Sequence, residues 1–156
     1  MKNVFVYNTR IGRIAIADNG IEITNIDIAD NLNYENMDLC ETKLIAMAAK
    51  QLNEYLDGVR KEFDLPLNPT GTDFQKKVWS ALCNIPYGET RSYKQIAEVL
   101  GNSKASRAVG MSNNKNPIMI FIPCHRVIGA DGSLVGYAGG LDMKEKLLAL
   151  EKGKTI

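Results

Sequence analysis

Two four-residue segments constrain the second half of this chain before any tertiary argument is needed. Thr72-Asp73-Phe74-Gln75 and Ser92-Tyr93-Lys94-Gln95 each place a hydroxyl three residues ahead of a glutamine. That spacing lets side chain and backbone satisfy each other's orphan donors, so each segment opens a helix. The first carries Phe74, Val78, Ala81 and Leu82 on one face, and Pro86-Tyr87-Gly88 marks its end. The second runs through Ile96, Ala97 and Leu100 to Gly101, with Asn102 or Ser103 placed to cap a third helix from about Lys104 to Ser112. Two short helices joined through a glycine, the second rich in small and basic residues, read as a helix-turn-helix. An ordinary helical hairpin carries the same signature.

The N-terminal third has a different rhythm. Val4-Phe5-Val6-Tyr7, Arg13-Ile14-Ala15-Ile16-Ala17 and Ile21-Glu22-Ile23 are β-rich, and Asp18-Asn19-Gly20 joins the last two as a hairpin. Ile26 and Ile28 extend the third strand. Leu44, Ile45, Ala48, Leu52, Tyr55 and Leu56 recur at helical spacing, and Gly58 suits the C-terminal cap. Phe63 to Gly71, with Pro66 and Pro69, reads as an extended linker. The expected fold class is α+β. A small N-terminal lobe, residues 1–68, holds an antiparallel sheet and a helix; a mainly helical C-terminal domain, 69–156, contains the helix-turn-helix.

Ile118-Met119-Ile120-Phe121-Ile122 is then expected as a buried extended run delivering Pro123, Cys124 and His125. A thiol becomes a nucleophile as its thiolate, and a histidine is its usual proton acceptor. His125 is the only histidine of the chain, so any Cys–His chemistry uses it. Neighbouring side chains in an extended segment point to opposite faces, so contact needs a sharp turn at Pro123, or a water between them. Five glycines between Gly129 and Gly140 make a loop that can approach a flat ligand closely. Asp142-Met143-Lys144-Glu145 begins a last helix that Gly153 ends. Glu151, near that end, is disfavoured by the helix dipole, and a buried partner such as His125 would account for it.

A chain of 156 residues, 45% hydrophobic, can bury one substantial core. Met1-Lys2-Asn3-Val4-Phe5 is no start of a signal peptide, and no segment reaches the length of a membrane span. Cys40, Cys83 and Cys124 are odd in number and far apart, which suggests reduced thiols in a cytoplasmic setting. A four-ligand zinc site would need all three distant cysteines and the one histidine to converge, so no metal is expected. The net charge of +1 is unevenly spread: residues 1–75 carry −5 and residues 76–156 carry +6. Arg91, Lys94, Lys104, Arg107, Lys115 and Arg126 face only Glu98 in their stretch. A polyanion partner fits this, and so does a solvated surface of scattered bases.

Read together, residues 74–152 resemble the O6-alkylguanine-DNA alkyltransferases. The matching segments are Phe74-Gln75-Lys76-Lys77-Val78-Trp79, Ile85-Pro86-Tyr87-Gly88-Glu89-Thr90, Ser92-Tyr93 and Ala105-Ser106-Arg107-Ala108-Val109-Gly110. Asn116-Pro117, Ile122-Pro123-Cys124-His125-Arg126-Val127 and Gly136-Tyr137-Ala138-Gly139-Gly140-Leu141 follow in the family's order and spacing. The resemblance implies a single-turnover suicide acceptor. Cys124 takes the alkyl group from guanine O6 (and from O4-methylthymine as a second lesion), His125 takes the thiol proton through a water, and Glu151 orients His125. Asn116 braces the turn around the site. Tyr93 drives rotation of the flipped nucleotide at its phosphate and protonates the departing guanine.

The same resemblance implies double-stranded DNA as the partner, bound through the minor groove by a monomer, with no membrane and no cofactor. Arg107 fills the gap left by the flipped base, and Lys94 and Asn102 contact the DNA. Ala105, Ala108 and Gly110 let the helix press into the groove. Backbone groups at Cys124, Val127, Tyr137 and Ala138 line the base pocket. Ala138 stands where some relatives have serine, and the second histidine needed for the zinc of some members is absent. Three other readings compete. A non-catalytic alkyltransferase-like lesion binder would carry another residue, often tryptophan, at Cys124. A helix-turn-helix regulator needs base-reading side chains where Ala105, Ala108 and Gly110 stand. A Cys–His hydrolase would turn over repeatedly.

Overall fold

The structure, a computed structural model, describes residues 1–137 and 139–156. Among these, β1 (Lys2–Thr9), β2 (Gly12–Asp18), β3 (Ile23–Ile28) and β4 (Met37–Leu39) form a sheet in the order β3-β2-β1-β4. The antiparallel meander was expected; β4, which pairs in parallel with β1, was not. Three residues are too few to show a period. Strand β2 is central and covered on both faces. Ile14 and Ile16 join the main core under the helix α1 (Lys43–Leu56), while Ala15 and Ala17 meet Val4 and Ala29 on the other side. Large side chains on one face and small ones on the other follow from the period of two.

The hairpin after β2 takes two more turn residues than its sequence suggests, Ile21 and Glu22. Asn19 Oδ1 accepts hydrogen bonds from the backbone N–H of Ile21 (3.0 Å) and Glu22 (2.8 Å). Ile21 therefore belongs to the turn, 73% exposed, and the strand starts at Ile23. Helix α1 is capped by Thr42, whose hydroxyl accepts from Ile45 N–H and donates to Asp18 at 2.5 Å. Asp57 is the C-terminal cap, and Gly58 follows it at φ +78°.

Both capping boxes form as expected, on α2 (Asp73–Leu82) and α3 (Tyr93–Val99). Helix α4 (Ser106–Asn114) differs. Its N-cap is Ala105, without a side-chain bond, because Asn102 is used in the preceding turn, accepting from Lys104 N–H at 3.2 Å. Trp79 Nε1 donates to Ser112 O at 2.8 Å and fastens α2 to α4. The run from Ile118 to Ile122 is buried as expected but is not extended. Ile122 N–H reaches back to Ile118 O (3.0 Å) and Ile120 takes φ +72°, so the run folds on itself. Two short strands, β5 (Arg91–Ser92) and β6 (Val127–Ile128), then pair in parallel, and α5 (Leu141–Glu151) closes the chain. Among the described residues no helix is long and apolar enough to cross a membrane.

Candidate active site

The folded-back run ends in a single 3-10 turn, Cys124–Arg126. Its tightness answers the question posed by neighbouring Cys and His: with 3 residues per turn, successive side chains no longer alternate. Cys124 is 3% exposed and His125 fully buried. Asn116 holds the approach, donating from Nδ2 to Ile122 O (2.8 Å) and accepting from Ile118 N–H (3.0 Å). Asn113 donates to Cys124 O at 3.3 Å.

Behind the turn lies a buried polar network around Glu151, the last residue of α5. His125 Nε2 is 2.6 Å from Glu151 Oε2. Arg126 donates to both carboxylate oxygens, Nε to Oε1 at 2.8 Å and Nη2 to Oε2 at 3.0 Å. Tyr55, from α1, donates to Oε2 at 2.5 Å, and Gly88 N–H donates to Oε1 at 3.1 Å. The expected pairing of Glu151 with His125 is present; Tyr55 and Arg126 are additions the sequence did not announce. The sequence groups Arg126 with the bases of the Arg91–Arg126 stretch. Arg126 is 6% exposed and anchored by Glu151 and by Ile85 O (2.7 Å), so it does not belong to a DNA-facing surface.

Burial alone would raise the Glu151 carboxyl, but the bonds from His125, Arg126 and Tyr55 hold it at about 2. It is therefore ionised at neutral pH. Burial pushes His125 below its usual value; Glu151 pulls it up, and Arg126 and Lys144 push it down. Because Arg126 neutralises much of the carboxylate's charge, we take burial as the stronger influence, so His125 is neutral at rest. A neutral imidazole against a carboxylate must carry its hydrogen on Nε2. The bare nitrogen is then Nδ1, which is buried without a hydrogen-bond partner among the described residues. Burial pushes the Cys124 thiol up to about 11, against the pull of Asn116, Lys144 and Tyr137. A thiol in that range is protonated at neutral pH and needs a base.

The remaining expected residues divide between a wall and a face. Val127 and Tyr137 are buried beside the turn, and among the described residues the Tyr137 hydroxyl has no hydrogen-bond partner. Ala138 lies outside the described residues. Tyr93, the first residue of α3, donates to Val135 O at 2.7 Å in the glycine-rich loop. Burial and the nearby Cys124 raise its phenol, so it keeps its proton at neutral pH. Lys94 in α3, Asn102 in the turn between the helices and Arg107 in α4 are exposed. Ala108 is exposed as well, whereas Gly110 faces the Tyr93 ring, an added Cβ lying 3.7 Å from it. Sequence reasoning also passed over Lys144, fully buried in α5; three- and four-residue spacing to Leu147 and Leu148 was its available signal.

Residues 73–153 match the family described as 6-O-methylguanine DNA methyltransferase, DNA binding domain, and residues 5–69 match its ribonuclease-like domain. A methylated-DNA–protein-cysteine methyltransferase of Methanosarcina barkeri is 51% identical over 150 residues, covering 94% of this chain and 95% of that protein. The protein of the same name from Mycobacterium leprae is 48% identical over 149 residues, covering 94% and 90%. Among solved structures, Mycobacterium tuberculosis OGT in complex with DNA superposes with a TM-score of 0.93 at 44% identity, covering 98% of this chain and 94% of that one. The O6-methylguanine methyltransferase of the same organism gives 0.89 at 43%, covering 100% and 96%. The expected α+β class is borne out by these superpositions, and the chain belongs to the 6-O-methylguanine DNA methyltransferase family.

Proposed function

We propose that this protein repairs DNA by moving an alkyl group from guanine O6 in duplex DNA to Cys124, once per molecule. One observation carries the reading: a buried thiol stands beside a neutral histidine whose Nε2 is committed to Glu151 and whose Nδ1 is free to accept a proton. His125 takes the Cys124 proton through a water. The thiolate attacks the alkyl carbon in line, an S–C bond forms, and the C–O6 bond breaks with its electrons leaving on guanine. Tyr93 gives the guanine its proton and regains one from solvent. Glu151 and Arg126 fix the imidazole in place and stay ionised throughout. Nothing in the site activates a thioether toward water, so the acceptor is spent.

A base stacked in a duplex cannot reach a buried sulfur, so the nucleotide must be flipped out. The exposed α4 face supports entry through the minor groove: Arg107 fills the vacated stack, Ala108 permits close approach, and Lys94 and Asn102 touch the backbone. Val127, Tyr137 and Ala138 line the pocket for the flipped base, with O4-methylthymine as a second substrate. The chain acts as a monomer without a metal. Residues 1–68 form a supporting lobe and 69–156 the transferase domain. Cysteine at position 124 disfavours the non-catalytic lesion-binder reading.

Replacing Cys124 with serine tests the assignment. The variant should gain no methyl group from methylated duplex, read as intact mass, while still shifting the same duplex on a gel. A methyl group appearing on the serine variant would move the acceptor to Cys40 or Cys83, both exposed.

A further inference from the structure

Lys144 lies in the first half of α5, fully buried, and none of the chemistry above uses it. A buried ammonium is costly unless its hydrogens are all engaged. Here they point at carbonyls: Val127 O at 2.5 Å, Val135 O at 3.0 Å and Gly136 O at 3.4 Å. Val127 opens β6, three residues past Cys124; Val135 and Gly136 lead into Tyr137. One side chain therefore joins the strand leaving the cysteine turn to the loop that faces it. Val135 O accepts from a second donor as well, the Tyr93 hydroxyl, so wall and DNA-facing helices meet at a single oxygen.

We propose that Lys144 is a positioning residue for the transfer: its ammonium clamps Val127 to Val135 and Gly136, and supplies the positive charge that faces Cys124 as its sulfur becomes anionic. Arg126 cannot serve this purpose, because its guanidinium is taken up by Glu151 and Ile85 O. The titratable groups influenced by this charge are Cys124 and His125, from the 3-10 turn. It favours the thiolate on Cys124 and disfavours imidazolium on His125, and the pH profile of thiol alkylation reads the first of these effects. The clamp also separates the two donors at Val135. When DNA engages Tyr93, Lys144 still holds the loop.

The inference rests on Cys124 being the acceptor, and the experiment separates the two. Lys144→Met and Lys144→Arg are compared with the unaltered protein on methylated duplex and on free O6-benzylguanine, with the alkylated peptide mapped by mass. Lys144→Met should slow both substrates alike, by roughly ten- to a hundredfold, the scale of one lost preorganised charge. Its iodoacetamide alkylation of Cys124 should need a higher pH, and Lys144→Arg should restore much of that profile. Unchanged rates, or slowing with an unchanged pH profile, would overturn the proposal and leave Lys144 a packing residue. Should both variants fail to fold, the unaltered protein decides. The 15N resonance of the Lys144 ammonium should move as Cys124 ionises and stay fixed in Cys124→Ser; a resonance blind to Cys124 would refute the pairing. Absence of the alkyl group from Cys124 in the unaltered protein would instead sink the functional reading itself.

Discussion

Two buried carboxylates, one in each half, are held in opposite ways. Asp18, at the end of β2, accepts from the Asn3 amide (2.9 Å), the Thr42 hydroxyl (2.5 Å) and Gly20 N–H (3.2 Å), all neutral donors. Glu151, at the end of α5, accepts from a guanidinium, an imidazole and a phenol. Asp18 joins β1, β2 and the N-terminal cap of α1. The Glu151 cluster contains a titratable base that must stay available. Neutral donors build a staple; ionisable ones build a reagent, and their burial makes the arrangement expensive to disturb.

The sharpest way to break that contrast is Glu151→Gln. It strands Arg126 without its counter-charge and should cost about 3–5 kcal/mol, a melting-temperature drop on the order of ten degrees. Alkyl transfer to free O6-benzylguanine should fall with it, since a glutamine orients His125 poorly. The acid side gives an independent check. Glu151 has a folded value of about 2 against the ordinary 4.5, so its stabilisation is complete above pH 4.5 and is lost as pH falls toward 2. That loss is about 3 kcal/mol by the size of the shift. His125, lowered by burial, adds a decline that begins below its ordinary value of 6.5. Urea midpoints against pH should therefore fall less steeply between pH 4.5 and 2 in Glu151→Gln than in the unaltered protein; parallel curves would mean that Glu151 is not held as described.

Arg107→Ala probes an exposed residue of α4 that makes no part of the Glu151 cluster. Single-turnover repair of duplex should slow by roughly ten- to a thousandfold, because flipping costs a few kcal/mol and the gap goes unfilled. Reaction with the free base, which leaves no gap, should not change. Equal slowing on both substrates would place Arg107 in support of the site itself.

The smallest effect sharpens the comparison most. Tyr55 belongs to the lobe yet touches Glu151, so Tyr55→Phe should cost about 1.5–3 kcal/mol, the range of a bond to a charged group. The transfer rate should fall only a few-fold, since Arg126 and Gly88 still hold the carboxylate. Ile16→Val, in the sheet, should cost about 0.5–1.5 kcal/mol and leave the rate untouched. If Ile16→Val slowed transfer as much as Tyr55→Phe, the lobe would act through general stability rather than through its tyrosine.

What the sequence disclosed depended on how local the cause was. The capping boxes at Thr72 and Ser92 and the positive-φ Gly58 and Gly101 are written in four or five residues, and all four are present. The neighbouring Cys124 and His125 were visible, and the end of α5 raised the question of Glu151's partner. Tyr55 was not visible, because 70 residues separate it from His125 and its helical spacing speaks only of burial. Five consecutive apolar residues could not disclose that Ile120 reverses the chain, since a buried run reads alike whether straight or folded. Ala105 as a cap runs against residue preference, because Asn102 is spent in the turn before α4.

The folded-back run has a consequence for how the halves depend on each other. Strand β3 is an edge of its sheet, and an edge offers unpaired backbone groups to any passing chain. Here two segments from downstream occupy it: Ile23 exchanges hydrogen bonds with Pro66 and Asn68, and Ile26 with Pro117 and Met119. The second of these comes from the domain that carries Cys124. A fragment ending near residue 68 would expose the Ile26 side of that edge to other copies of itself. The lobe thus relies on the part of the chain made after it to cover its open edge.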